Sequence, residues 1–129
     1  MSEDAAATDD AFVAPVGGGP APLEKDAGLW DVGAVDDYAD ETITGLVLGD
    51  SEIVVIKQAG EFYALPDRCT HQRYPLNDGE LLDGKIRCVH HGATFDLHTG
   101  RPTLPAVVKI RLFTVDVIDG RVLVRLQER

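Results

Sequence analysis

Short apolar or β-branched runs follow one another from residue 29 onward, at 29–32, 42–48, 52–57, 62–65, 85–88, 94–96, 107–112, 115–118 and 121–126. Turn residues separate them: Gly49 with Asp50, Ala59 with Gly60, Asn77 through Gly79, Asp83 with Gly84, Thr99 with Gly100, and Asp119 with Gly120. Many short strands joined by tight turns predict an all-β fold, an antiparallel β-sandwich or barrel. The closing VDVIDGRVLV predicts a hairpin turning on Asp-Gly. One short helical turn is expected at 35–39, and no longer helix.

Residues 1–28 have a different texture. Ala, Gly, Pro and acidic residues dominate, and six acids face a single lysine. Neither period of regular structure is present, so a flexible acidic tail is expected, with a short contact at 11–16. Residues 29–129 then form the one domain that 129 residues accommodate. The formal net charge of −10 argues against nucleic acid and favours a basic protein surface as partner. It also favours a soluble monomer. No apolar run reaches the ~20 residues of a membrane helix, and the N-terminus lacks the basic and apolar regions of a secretion signal. The expectation is a cytoplasmic protein with no membrane partner.

Candidate chemistry is concentrated in CTHQRYPLNDGELLDGKIRCVHHGATFD, which holds both cysteines and three of the four histidines. Cys69 and His71 form C-x-H; Cys88 and His91 form C-x-x-H, with sixteen residues between the pairs. Each pair follows an expected strand and so falls in a loop. Two loops at one end of a sheet are able to offer four ligands to one site. From the residues alone three readings stand: ordinary buried residues, tetrahedral zinc in an S₂N₂ site, or a [2Fe–2S] cluster with thiolates on one iron and imidazoles on the other. Zinc fingers usually supply their histidines from a helix, which this segment lacks.

The double motif resembles the Rieske proteins, whose pattern is C-x-H and then C-x-x-H-G. WDVG, FYALPDRCTH, HGATFDLHTG and the LPA at 104–106 resemble the segments around it, so the resemblance covers about residues 29–127. It implies a Rieske-like β-sandwich with a two-loop cluster-binding subdomain. It also implies one [2Fe–2S] cluster, with Cys69 and Cys88 on the inner iron and His71 and His91 on the outer. His90 also stands in a C-x-H, but the Gly after His91 matches the family pattern. His90 is then a surface residue near the cluster, and His98 is expected to be exposed.

The respiratory cytochrome bc branch of that family carries an extra cysteine in each loop, paired as a disulfide. The matching residues here are Tyr74 and His90. Where that branch has a Ser and a Tyr donating to sulfur, this chain has Ala93 and Phe95. The resemblance therefore implies the low-potential branch, similar to the ferredoxins of bacterial ring-hydroxylating dioxygenase systems. Such a protein is an electron carrier rather than an enzyme. It takes electrons from an NAD(P)H-dependent flavoprotein ferredoxin reductase and passes them to a terminal oxygenase. Tyr74, Pro75, Leu104 and Pro105 are expected around the docking tip. A small subunit of another reductase, such as assimilatory nitrite reductase, and a zinc-bound interaction module are the alternatives.

Overall fold

The computed structural model describes residues 22–70, 74–90 and 92–128. Among the described residues, ten strands build two antiparallel sheets. The larger sheet has the order β1-β2-β10-β9-β5-β4-β3 and the smaller β6-β7-β8. The strands are β1 (Leu23–Asp26), β2 (Leu29–Ala34), β3 (Thr42–Leu48), β4 (Ser51–Gln58), β5 (Glu61–Pro66), β6 (Glu80–Leu82), β7 (Lys85–Arg87), β8 (Thr94–Asp96), β9 (Phe113–Ile118) and β10 (Arg121–Glu128). A 3₁₀ turn at Val35–Asp37 occupies the expected helical position.

β4, between β5 and the edge strand β3, explains the layering. β4 reads SEIVVIKQ, and Ile53, Val54, Val55 and Ile56 are all fully buried. A half-exposed strand alternates, whereas this run is apolar on both faces. Ile53 and Val55 join one core with Val32, Leu46, Leu48, Ala64, Phe113, Val122 and Val124. Val54 and Ile56 turn the other way, into a core with Leu65, Ile86, Phe95, Leu97 and both cysteines. Each buried aliphatic side chain here is worth about 1.5–3 kcal/mol of transfer free energy before entropy is set against it. The second core joins the small sheet to the large one.

Gln58 makes that junction directional. Its amide nitrogen donates to the Leu82 carbonyl at 2.8 Å and to Glu41 at 3.2 Å, and its oxygen accepts from the Gly84 N–H at 2.9 Å. The side chain is 8% exposed and its polar atoms are thus engaged. It pins the β6–β7 turn beside the β4–β5 turn. From that shared end β5 and β7 both run toward their cysteines.

Three expectations need correction. Residues 23–26, placed in the tail, form β1, which pairs with β2 through Glu24↔Trp30 and a two-residue turn at Ala27 and Gly28. All four β1 residues are exposed, so no apolar signal marks them. β6 was missed because Glu80, Leu81 and Leu82 include no β-branched or aromatic residue. Residues 107–112, read as a strand, are irregular, and β9 starts at Phe113. Their backbone is bonded to loops: the Ile110 N–H to the Gly100 carbonyl, and the Val108 carbonyl to Thr70. The contact expected at 11–16 lies outside the described residues.

Candidate metal centre

β5 ends at Pro66, and three residues later comes Cys69; β7 ends at Arg87, and Cys88 follows at once. Both thiols are buried, at 2% and 0% exposure, in the same core, and they are not joined in a disulfide. The two loops beyond them close alike. The Cys69 N–H donates to the Tyr74 carbonyl and the Cys88 N–H to the Ala93 carbonyl, each at 2.8 Å and each spanning five residues. The Gly92 N–H adds a bond back to the Cys88 carbonyl at 2.8 Å.

Asp67 anchors the first loop. One carboxylate oxygen accepts from the N–H groups of Leu76 (2.6 Å) and Asn77 (2.8 Å), and the other from the Asn77 side chain at 2.6 Å. Leu76, fully buried, then plugs the core beneath the cysteines. Close packing continues at Gly79, where a Cβ would lie 2.7 Å from the Arg87 carbonyl oxygen. A third segment covers the pair. Thr103 is bonded both ways to Thr94, Ala106 is buried in the cysteine core, and the Thr70 hydroxyl donates to the Val108 carbonyl at 2.6 Å. At the other end of β8, Asp96 has its carboxyl held below the ordinary range, chiefly by the His98 N–H.

Two of the expected ligands, Cys69 and Cys88, are thus brought to one end of the fold. The other two, His71 and His91, lie outside the described residues. His90 is engaged elsewhere: its ring stacks on Tyr74 with centroids 4.3 Å apart, and Nε2 lies 3.3 Å from Asp78. His98 is exposed as expected, yet its Nε2 is 3.1 Å from the Tyr63 hydroxyl. Tyr74, Pro75, Leu104 and Pro105 are all exposed. Exposed Val89, Val107 and Val108 join this apolar surface and were missed. A strand assignment at 107–112 hid the two valines; adjacent exposed Val-Val without alternation was the available signal. Ala93 and Phe95 are fully buried in the cysteine core.

Buried thiols at the ends of two strands, under loops closed by the same hydrogen bond, are a donor set suited to a metal–sulfur centre. Comparison with known proteins agrees. The family model of the Rieske [2Fe-2S] domain matches residues 29–114. The ferredoxin component of the alkene monooxygenase system of Xanthobacter autotrophicus is 34% identical over 106 residues, 81% of this chain and 87% of that protein. The ferredoxin subunit of anthranilate 1,2-dioxygenase from Burkholderia cepacia is 29% identical over 92 residues, 70% of this chain and 85% of that protein. Among solved structures, a chain from the complex of reduced oxygenase and oxidized ferredoxin in carbazole 1,9a-dioxygenase matches with a TM-score of 0.75 and 31% identity. That match covers 81% of this chain and 98% of the other.

Proposed function

This chain belongs to the Rieske [2Fe–2S] domain family, and from that premise we propose that it is a one-electron carrier between a flavoprotein reductase and a terminal oxygenase. Its cofactor is a [2Fe–2S] cluster. When bound, the cluster supplies a centre that accepts and releases one electron. Cys69 and Cys88 would hold one iron of it as thiolates, and His71 and His91 the other through their imidazoles. The stacking of His90 on Tyr74 supports the choice of His91.

One observation carries the reading: two buried cysteines converge at one end of a fold shared with a chain of an oxygenase–ferredoxin complex. The protein residues do the rest. Leu76, Ala93 and Ala106 exclude water from the sulfurs on the inner side. Tyr74, Val89, Leu104, Val107 and Val108 leave an apolar surface at the same end. A partner that covers it dries the contact. The reductant is NAD(P)H acting through the reductase, and the electrons leave to a terminal oxygenase of the aromatic-ring dioxygenase type.

Reconstitution tests this. The purified holoprotein is mixed with such a reductase, NADH or NADPH, and a terminal oxygenase with its aromatic substrate. Product should form only when the holoprotein is present. Turnover at the same rate without it would contradict the proposal.

A further inference from the structure

Asp67 stands where β5 has just ended. Its N–H donates to the Glu52 carbonyl at 3.0 Å, which fixes its backbone beside the start of β4. Its side chain reaches across the first loop to three donors: the N–H groups of Leu76 and Asn77 and the Asn77 amide, at 2.6, 2.8 and 2.6 Å. β3 closes the space around them. A Cβ at Gly45 would lie 3.3 Å from the Asn77 Cβ and 3.7 Å from a carboxylate oxygen of Asp67. The carboxylate is thus half-buried and held in one orientation.

That orientation places an anion close to the cysteines. Two steps of chain, at most about 7 Å, separate Asp67 from Cys69. Leu76, whose N–H it accepts from, is fully buried in the cysteine core. The nearest charged neighbours act differently. Glu52 and Arg68 are exposed and opposite in sign, so solvent screens them and they offset each other. Asp78, beyond Asn77, lies 3.3 Å from His90.

We propose that Asp67 is a positioning residue with two separable effects: its hydrogen bonds shape the ligand loop, and its fixed negative charge holds the reduction potential down. The inference rests on the carrier reading and deepens it. Reduction adds one electron, and so one negative charge, at the cysteine end. An anion held nearby opposes that charge, and more strongly through a half-buried path than through water. Short, charge-assisted bonds keep the carboxylate from turning out into solvent. A lower potential makes the reduced protein a stronger electron donor to its acceptor.

Redox titration of the holoproteins tests this, with the EPR spectrum of the reduced form as the check that the centre is intact. Asp67→Asn keeps an oxygen for the Leu76 and Asn77 N–H groups and removes the charge. Its potential should rise, so that at a fixed poise the ratio of reduced to oxidised protein grows by about threefold or more. Asn77→Ala breaks a hydrogen bond and leaves the charge, and should give no rise. Glu52→Gln removes an exposed charge from the residue that bonds the Asp67 backbone, and should change the ratio by less than about twofold. Asp67→Glu and Asp67→Gln, alike in size and different in charge, repeat the comparison with the loop disturbed equally in both; the Gln variant should have the higher potential. An Asp67→Asn potential at or below wild type, or an equal rise in Asn77→Ala or Glu52→Gln, would overturn the proposal. A wild type that shows no EPR signal would sink the carrier reading instead, so the two failures are distinct.

Discussion

Tyr74 and His90 stack with ring centroids 4.3 Å apart and planes 15° from parallel. The first belongs to the loop after Cys69 and the second to the loop after Cys88, so the pair clasps the two together. Asp78 holds the far edge of His90 at 3.3 Å. Related respiratory proteins use a disulfide at the corresponding positions; here a non-covalent contact spans them. An aromatic pair of this kind is worth about 0.5–1.5 kcal/mol beyond its buried area. His90→Ala and Tyr74→Ala should each keep the cluster but lose it faster to a chelator, followed by bleaching of the visible absorbance. Tyr74→Phe should keep the ring stack. The double variant should be less labile than the two single effects predict together, because both remove one contact. Independent, additive effects would show that the stack does not join the loops.

The fold's tight spots give a second expectation. Gly79 has no room for a side chain between the carbonyls of Arg87 and Leu76. Gly79→Ala should cost about 1–3 kcal/mol of stability. Ala59 shows the opposite case: it adopts φ 52° in the β4–β5 turn, a left-handed conformation that suits Asn or Gly. Ala59→Asn should stabilise by about 1 kcal/mol. Urea denaturation of both variants checks the pair, and equal midpoints would contradict the packing and turn arguments alike.

Those positions also show what was legible in the sequence. The turn pairs and the strands at 42–48 and 94–96 were readable because φ-positive turns and β-branched runs are local signals. The two-loop site was readable because its cysteines are the only two in the chain. β1 was not, since its pairing is entirely backbone and its side chains stay in water. The irregular path at 107–112 was hidden for a tertiary reason: it closes over Thr70 and Gly100, forty and ten residues away to the nearest ten.

Acid should weaken the β2–β10 junction. Arg121 donates to both oxygens of Asp31, at 3.0 and 3.1 Å, and holds that carboxyl below its ordinary value of 3.8. A carboxyl lowered in the folded state contributes stability above its unfolded pKa, and the contribution disappears as pH falls through the folded one. The stability gap between wild type and Asp31→Asn should therefore be constant from pH 7 to 5 and narrow below 3.8. A gap that widens toward acid would contradict the assignment. Chemical denaturation at a series of pH values measures it.

Ala93 and Phe95, both fully buried beside the cysteines, bring no hydroxyl to the sulfurs. The potential should then lie near the low end of the family range, about −150 mV. A hydroxyl donating to sulfur favours the reduced state, and a differential of about 1.4 kcal/mol corresponds to about 59 mV for one electron. Ala93→Ser and Phe95→Tyr should each raise the potential by several tens of mV in protein-film voltammetry. Intact variants within about 10 mV of wild type would remove the hydroxyl argument.

The most direct test of the central claim is the EPR spectrum of the reduced protein, recorded for wild type, His90→Ala and His91→Ala. Wild type, with about two irons per chain, should give the low average g value of mixed histidine and cysteine ligation. His90→Ala should retain that signal, because the His90 ring is occupied by Tyr74 and Asp78. His91→Ala should lose it. A wild-type protein that holds zinc and gives no signal would contradict the account, and so would a signal that survives the loss of His91 but not of His90.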